Sequence, residues 1–111
     1  TATSKDSLEI LNWSKALGFS GKDFPPINSL KSMVGHCLSA SGSIESVASV
    51  LQIYHGFLFP NINCDDLHPA IIEVIDSSKI PQQLIQKELN IVIKASFGFG
   101  DVNACVVFKK Y

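Results

Sequence analysis

The chain has 111 residues, 46% of them hydrophobic, and a formal net charge of −1. Folding at this length hides only roughly 60–70% of the chain's surface, so apolar residues this abundant call for a further covering segment first and an oligomer interface second. All nine basic residues are lysines, scattered except for Lys109-Lys110; no arginine fork is present to read phosphate or guanine, and no basic stripe to track a nucleic acid or an acidic bilayer.

Asp6 to Leu17 predicts a helix with Leu8, Leu11 and Leu17 on its apolar positions, acids early and Gly18 as its stop. Pro25-Pro26 forces an extended entry into Ile27 to Leu30, which reads as a short strand. Ser43 to Tyr54 predicts a helix buried nearly all round, because Ile44, Val47, Ala48, Val50, Leu51, Ile53 and Tyr54 leave it little polar surface, with His55-Gly56 closing it. Phe57 to Pro81 is punctuated by prolines, asparagines and aspartates and reads as irregular; residues 82–89 carry no clear pattern.

Asn90 to Ser96 and Ala104 to Lys109 are rich in Ile, Val and Phe. They predict two core strands, covered on both faces, joined by the loop Phe97 to Asn103. The class is α/β.

Cys37, Cys64 and Cys105 are odd in number and lack ligand spacing, which indicates reduced thiols in a cytoplasmic protein rather than a disulfide framework or a zinc site. No run reaches the ~18 consecutive apolar residues of a membrane span. The first residue is not methionine, which fits a piece of a longer protein. His55 reads as a helix-end residue, His68 as a loop residue before Pro69, and Cys37 as a small packed side chain.

Three segments stand out. Lys31-Ser32-Met33-Val34-Gly35-His36 runs on through Ala40 and Gly42 to Glu45; Gly56 is followed by Pro60-Asn61-Ile62-Asn63; and Ser96-Phe97-Gly98-Phe99-Gly100 leads to Asn103-Ala104. In these the chain resembles the C-terminal part of a beta-ketoacyl-acyl carrier protein synthase, the elongating type of the thiolase-like superfamily. That family shows K-S-x-x-G-H-x-x-x-A-x-G-x-x-E, G-x-x-x-P-x-I-N and S-F-G-F-G-G-x-N-A runs. Thr1-Ala2-Thr3, with Asp6 and Glu9 behind, resembles the segment just after the family's first catalytic histidine, so the signatures span essentially the whole of residues 1–111. The Gly56 to Asn63 details lean toward the bacterial fatty-acid type.

The resemblance implies the C-terminal half of a thiolase-like layered fold, with a buried central helix on a small mixed sheet. It implies a decarboxylating Claisen condensation of a malonyl group with an acyl-enzyme thioester, in fatty-acid or polyketide synthesis. His36 is then a neutral imidazole, kept so by burial, whose N–H bonds the malonyl thioester carbonyl. Lys31 and Glu45 pair to hold the histidine loop, Glu45 sitting in the first turn of the helix, where the macrodipole favours a carboxylate. Phe99 supplies a backbone N–H to the acyl oxyanion hole and, with Phe97, a gate to the acyl pocket, on a loop freed by Gly98 and Gly100. The hydroxyls of Thr1 and Thr3 bind the pantetheine arm.

No cofactor or metal is implied beyond substrates carried on the phosphopantetheine of acyl carrier protein. The implied partners are that carrier, the enzyme's own N-terminal half with the nucleophilic cysteine and first histidine, and a second copy in a homodimer. Residues 1–111 alone are expected to be inactive. The alternative is a noncatalytic chain-length-factor-like partner or a carrier-binding remnant. Two departures bear on the site: Leu38-Ser39-Ala40-Ser41-Gly42 replaces the usual Leu-Gly-Ala-Ala-Gly, and Asp101 stands where glycine is usual, costlier than glycine if its φ is positive.

Overall fold

The computed structural model describes residues 5–111, so Thr1 and Thr3 lie outside the described residues. The elements in order are α1 (Asp6–Leu17), α2 (Lys31–Val34), a 3-10 turn (Leu38–Ala40), α3 (Ser41–His55), β1 (Phe57–Leu58), α4 (Pro69–Ile72), a second 3-10 turn (Ser77–Lys79), β2 (Ile85–Gln86), β3 (Ile91–Gly98) and β4 (Val102–Lys109). They fall into two units, one of residues 1–35 and 59–84, the other of 36–58 and 85–111.

In the first unit, α1 has the bounds its pattern predicts. Asp6 and Glu9 lie in its first turn and Lys15 in its last, matching the helix dipole, and Gly18 closes it at φ 71° with its N–H on the Ser14 carbonyl. Ile10 on its inner face joins Phe24, Ile75 and Ile80 in a small core, with Trp13, Ile27, Cys64, Leu67, Ile71 and Val74 around it. A single parallel bridge between Gly21 and Ile75 fastens the loop after α1 to the segment after α4. His68 caps α4, its Nδ1 accepting the Ala70 N–H at 3.2 Å.

The strand expected over Ile27 to Leu30 does not form. Its polar groups are claimed singly: the Ile27 N–H donates to the Lys79 carbonyl, and the Ser29 N–H donates to Asn61 Oδ1 at 2.8 Å. The same Asn61 amide donates to the carbonyls of Ile27 and Pro81, at 3.2 Å each. One asparagine, only 8% exposed, thus does for this stretch what a neighbouring strand would do.

In the second unit, α3 begins two residues before the expected start and ends at His55, with Gly56 at φ 68°. Ser49, Gln52 and Ile53 face inward, while Ile44, Val47, Val50, Leu51 and Tyr54 are exposed on this chain. The helix expected to be buried nearly all round therefore buries one face only. Its apolar remainder has the composition of a surface made to be covered.

The sheet resolves into two antiparallel pairs rather than the small mixed sheet the resemblance implies: β1 with β2, and β3 with β4 in register from Ile91–Lys109 to Gly98–Val102. The long pair is α/β in the plainest sense, with α3 laid on β3. Along β3 the residues Val92, Lys94 and Ser96 share the covered face, whereas Ile91, Ile93 and Phe97 on the other face are exposed. The cover expected on both faces is present on one among the described residues.

The turn is shorter than expected, because Phe97, Val102 and Asn103 belong to the ladder, leaving Phe99, Gly100 and Asp101 at the tip.

Candidate active site

His36 follows Gly35, which ends α2 at φ 75°, and precedes the 3-10 turn, whose first residue, Leu38, takes φ 51°. That left-handed backbone is uncommon for leucine and marks a constrained loop. Just before it, the chain folds back so that the Leu38 N–H donates to His36 Nδ1 at 2.9 Å. The Ser41 hydroxyl, at the start of α3, lies 3.2 Å from the same nitrogen.

A ring nitrogen that accepts from an amide carries no proton, so in the neutral imidazole the proton sits on Nε2. The histidine thereby presents an outward N–H donor. The imidazole is exposed on this chain rather than buried as expected, and the amide at Nδ1 determines only which nitrogen offers the N–H.

Glu45 is the fifth residue of α3, two residues further in than expected and past the first turn, so the helix end does not hold its carboxylate. Its Oε2 lies 2.8 Å from Lys94 Nζ, with the two side chains 14% and 9% exposed. The ammonium also donates to the hydroxyl of Ser96, two residues along the same face of β3. Lys94 is the residue that sequence reasoning missed. Its signal was a lone charge inside the apolar run Ile91-Val92-Ile93-Lys94-Ala95, at a position that alternation turns toward the helix.

Lys31 opens α2 in the first unit and is half-buried. Close by in that unit the Glu9 carboxyl is pushed above the usual carboxylate range by burial, with Asp6 adding to the rise while a hydrogen bond with Trp13 and the charge of Lys31 oppose it. The Cys64 thiol is likewise pushed up, by burial and by the Asp65 carboxylate, which makes it a poor nucleophile. Among the described residues no group of three or more His, Cys, Asp and Glu side chains is placed to hold a metal ion.

Phe97 pairs with Asn103 in the ladder and is half-exposed; Phe99 stands at the hairpin tip with its ring fully exposed. The two glycines differ in role. Gly100 takes φ 77°, as a tight turn demands, whereas Gly98 lies in β3, where an added Cβ would come within 3.4 Å of the Val102 carbonyl oxygen. Only the first serves the loop's freedom.

Asp101 adopts φ 59°, so the cost foreseen for a non-glycine residue there is incurred. Asp101→Gly in the full-length protein is expected to stabilise it by about 0.5–1 kcal/mol, relief of strain exceeding the added freedom of the unfolded chain. The denaturation midpoint measures this, and a lower midpoint would show that Asp101 makes a compensating contact.

The family model for the beta-ketoacyl synthase C-terminal domain matches residues 1–65. Over 85 residues the chain is 40% identical to the chloroplastic 3-oxoacyl-[acyl-carrier-protein] synthase I of Arabidopsis thaliana, covering 77% of this chain and 17% of that protein. It is 37% identical over 105 residues to 3-oxoacyl-[acyl-carrier-protein] synthase 2 of Vibrio harveyi (95% and 24%), and 38% identical over 90 residues to synthase 1 of Escherichia coli K12 (81% and 21%). The chain spans about a fifth of the length of these curated relatives. With the histidine loop, the Glu45 helix and the phenylalanine hairpin in place, the chain belongs to the beta-ketoacyl synthase family, as a part of its C-terminal domain.

Proposed function

We propose that this chain is the C-terminal part of a 3-oxoacyl-acyl carrier protein synthase that condenses malonyl-carrier with an acyl group held on an upstream cysteine. The observation that carries the reading is the Nδ1 lock on His36, because decarboxylation needs a donor where the enolate oxygen develops.

His36 Nε2–H donates to the malonyl thioester carbonyl. As the bond to the carboxylate breaks, its electron pair moves into the enolate and carbon dioxide leaves. The enolate carbon then attacks the acyl thioester carbonyl, whose oxyanion is met by the backbone N–H of Phe99, and the cysteine thiolate departs. Lys31 and Glu45 brace the histidine loop, and Thr1 and Thr3 hold the pantetheine arm.

The chemistry needs no resident cofactor, since the substrates arrive on phosphopantetheine. The partners are acyl carrier protein, which the relatives carry in their names, the N-terminal half, and a second copy in a homodimer. Thiols at Cys37, Cys64 and Cys105, outside any disulfide, suit a reducing compartment, which we take to be the cytoplasm. Among the described residues no helix is long and apolar enough to cross a membrane.

The test is to supply the full-length protein with acyl-carrier and malonyl-carrier and to measure 3-oxoacyl-carrier and carbon dioxide. Formation of both in equal amounts is expected; neither forming would turn the reading to a noncatalytic partner. With the active protein, Phe99→Ala is expected to change the acyl chain-length profile, because the ring at the hairpin tip is large and free to swing. An unchanged profile would remove the gate.

A further inference from the structure

We propose that Lys94 is a positioning residue for the condensation, joining the helix that carries Glu45 to the strand that leads into Phe97-Gly98-Phe99. The inference rests on the condensing activity proposed above.

An ammonium carries three N–H donors and no acceptor. Here one meets Glu45 Oε2 at 2.8 Å and another meets Ser96 Oγ. The pair is largely withdrawn from solvent, with Lys94 at 9% exposure and Glu45 at 14%. A charge so placed is retained only with its counter-ion, and the attraction is screened little by solvent.

The contacts continue on both sides. A Cβ added at Gly42, in the first turn of α3, would lie 3.9 Å from Ser96 Oγ, and the neighbouring Ser41 hydroxyl reaches His36 Nδ1. The first two turns of α3 therefore reach the imidazole through Ser41 and β3 through Glu45, with Gly42 passing close to Ser96. Ser96 is the residue immediately before Phe97. Lys94 sets the height of α3 over β3, and with it the spacing between the histidine donor and the hairpin that bears the oxyanion N–H.

Loss of that tie loosens both donors without removing either, so its effect belongs to turnover rather than to substrate affinity. A displacement of about 1 Å in such a site can cost on the order of a hundredfold.

In the full-length protein, Lys94→Met is expected to lower kcat for condensation by about tenfold or more, counted per acylatable cysteine, with KM for malonyl-carrier nearly unchanged. Lys94→Arg, which keeps the charge, should recover most of the loss; a purely structural lysine would show the loss as fewer active sites rather than slower ones. Should the methionine variant fail to fold, Ser96→Ala deletes only the hydroxyl acceptor and is expected to lower kcat about threefold. An active wild type with unchanged kcat in the folded variants overturns the role of Lys94 alone. An inactive wild type overturns the condensing reading and this role with it.

Discussion

If the proposed condensation is right, His36→Ala in the full-length protein is expected to lower malonyl decarboxylation by about 10²–10³-fold, the usual cost of deleting one oxyanion donor, while acyl transfer to the nucleophile continues. The split arises from where the donor points. Nδ1 is taken by the Leu38 amide, so in the proposed reaction Nε2–H faces the substrate, and the malonyl carbonyl would be the group whose oxygen gains charge when carbon dioxide leaves. In the same proposal acyl transfer develops its charge elsewhere, at the carbonyl assigned to the Phe99 amide. Radiolabelled carbon dioxide and acyl-enzyme formation, measured on one preparation, separate the two steps. Undiminished decarboxylation would remove His36 from the role; equal loss of both steps would make it structural.

The second large effect is on stability. Asn61→Ala is expected to destabilise the full-length protein by about 2–4 kcal/mol, since it leaves the Ser29 N–H and the Ile27 carbonyl without their side-chain partner. The Pro81 carbonyl suffers less, because it also accepts the Asn61 backbone N–H at 2.7 Å. Asn61→Asp should be nearly as costly: it keeps the acceptor for Ser29 but turns a carboxylate toward two carbonyl oxygens. A denaturation midpoint unchanged in both variants would mean that water replaces the amide at no cost.

Asn61 also marks the limit of what could be read from the chain. Helix α1 and the β3–β4 pair were legible because their periodicity, caps and turn residues agree with one another. Ile27 to Leu30 misled because a strand-like composition says nothing about whether a partner strand exists, and here an asparagine more than thirty positions away takes its place. The burial of α3 was overread for a related reason. Its apolar residues surround the helix, but the described residues cover one face only.

At the site, the motif spacing singled out Lys31, His36, Glu45 and Phe99 and was silent on Lys94, because the motif assigns Glu45 to Lys31 and takes no account of the strand residue that the helix faces. Nor could spacing show that His36 is exposed, or that a backbone amide occupies its Nδ1. The latter depends on how the backbone at His36 and Cys37 turns the Leu38 amide back toward the ring, which the side-chain pattern does not record.

The Leu38 amide has a consequence for how this chemistry tolerates mutation. Every side chain near the imidazole can be exchanged by a single codon change, but a peptide N–H is lost only to proline, and proline's ring fixes φ near −65°, incompatible with the 51° found here. Substitution at position 38 can therefore alter the loop's strain without deleting the group that orients the ring. The direction in which His36 offers its proton is written into the main chain, beyond the reach of most genetic drift.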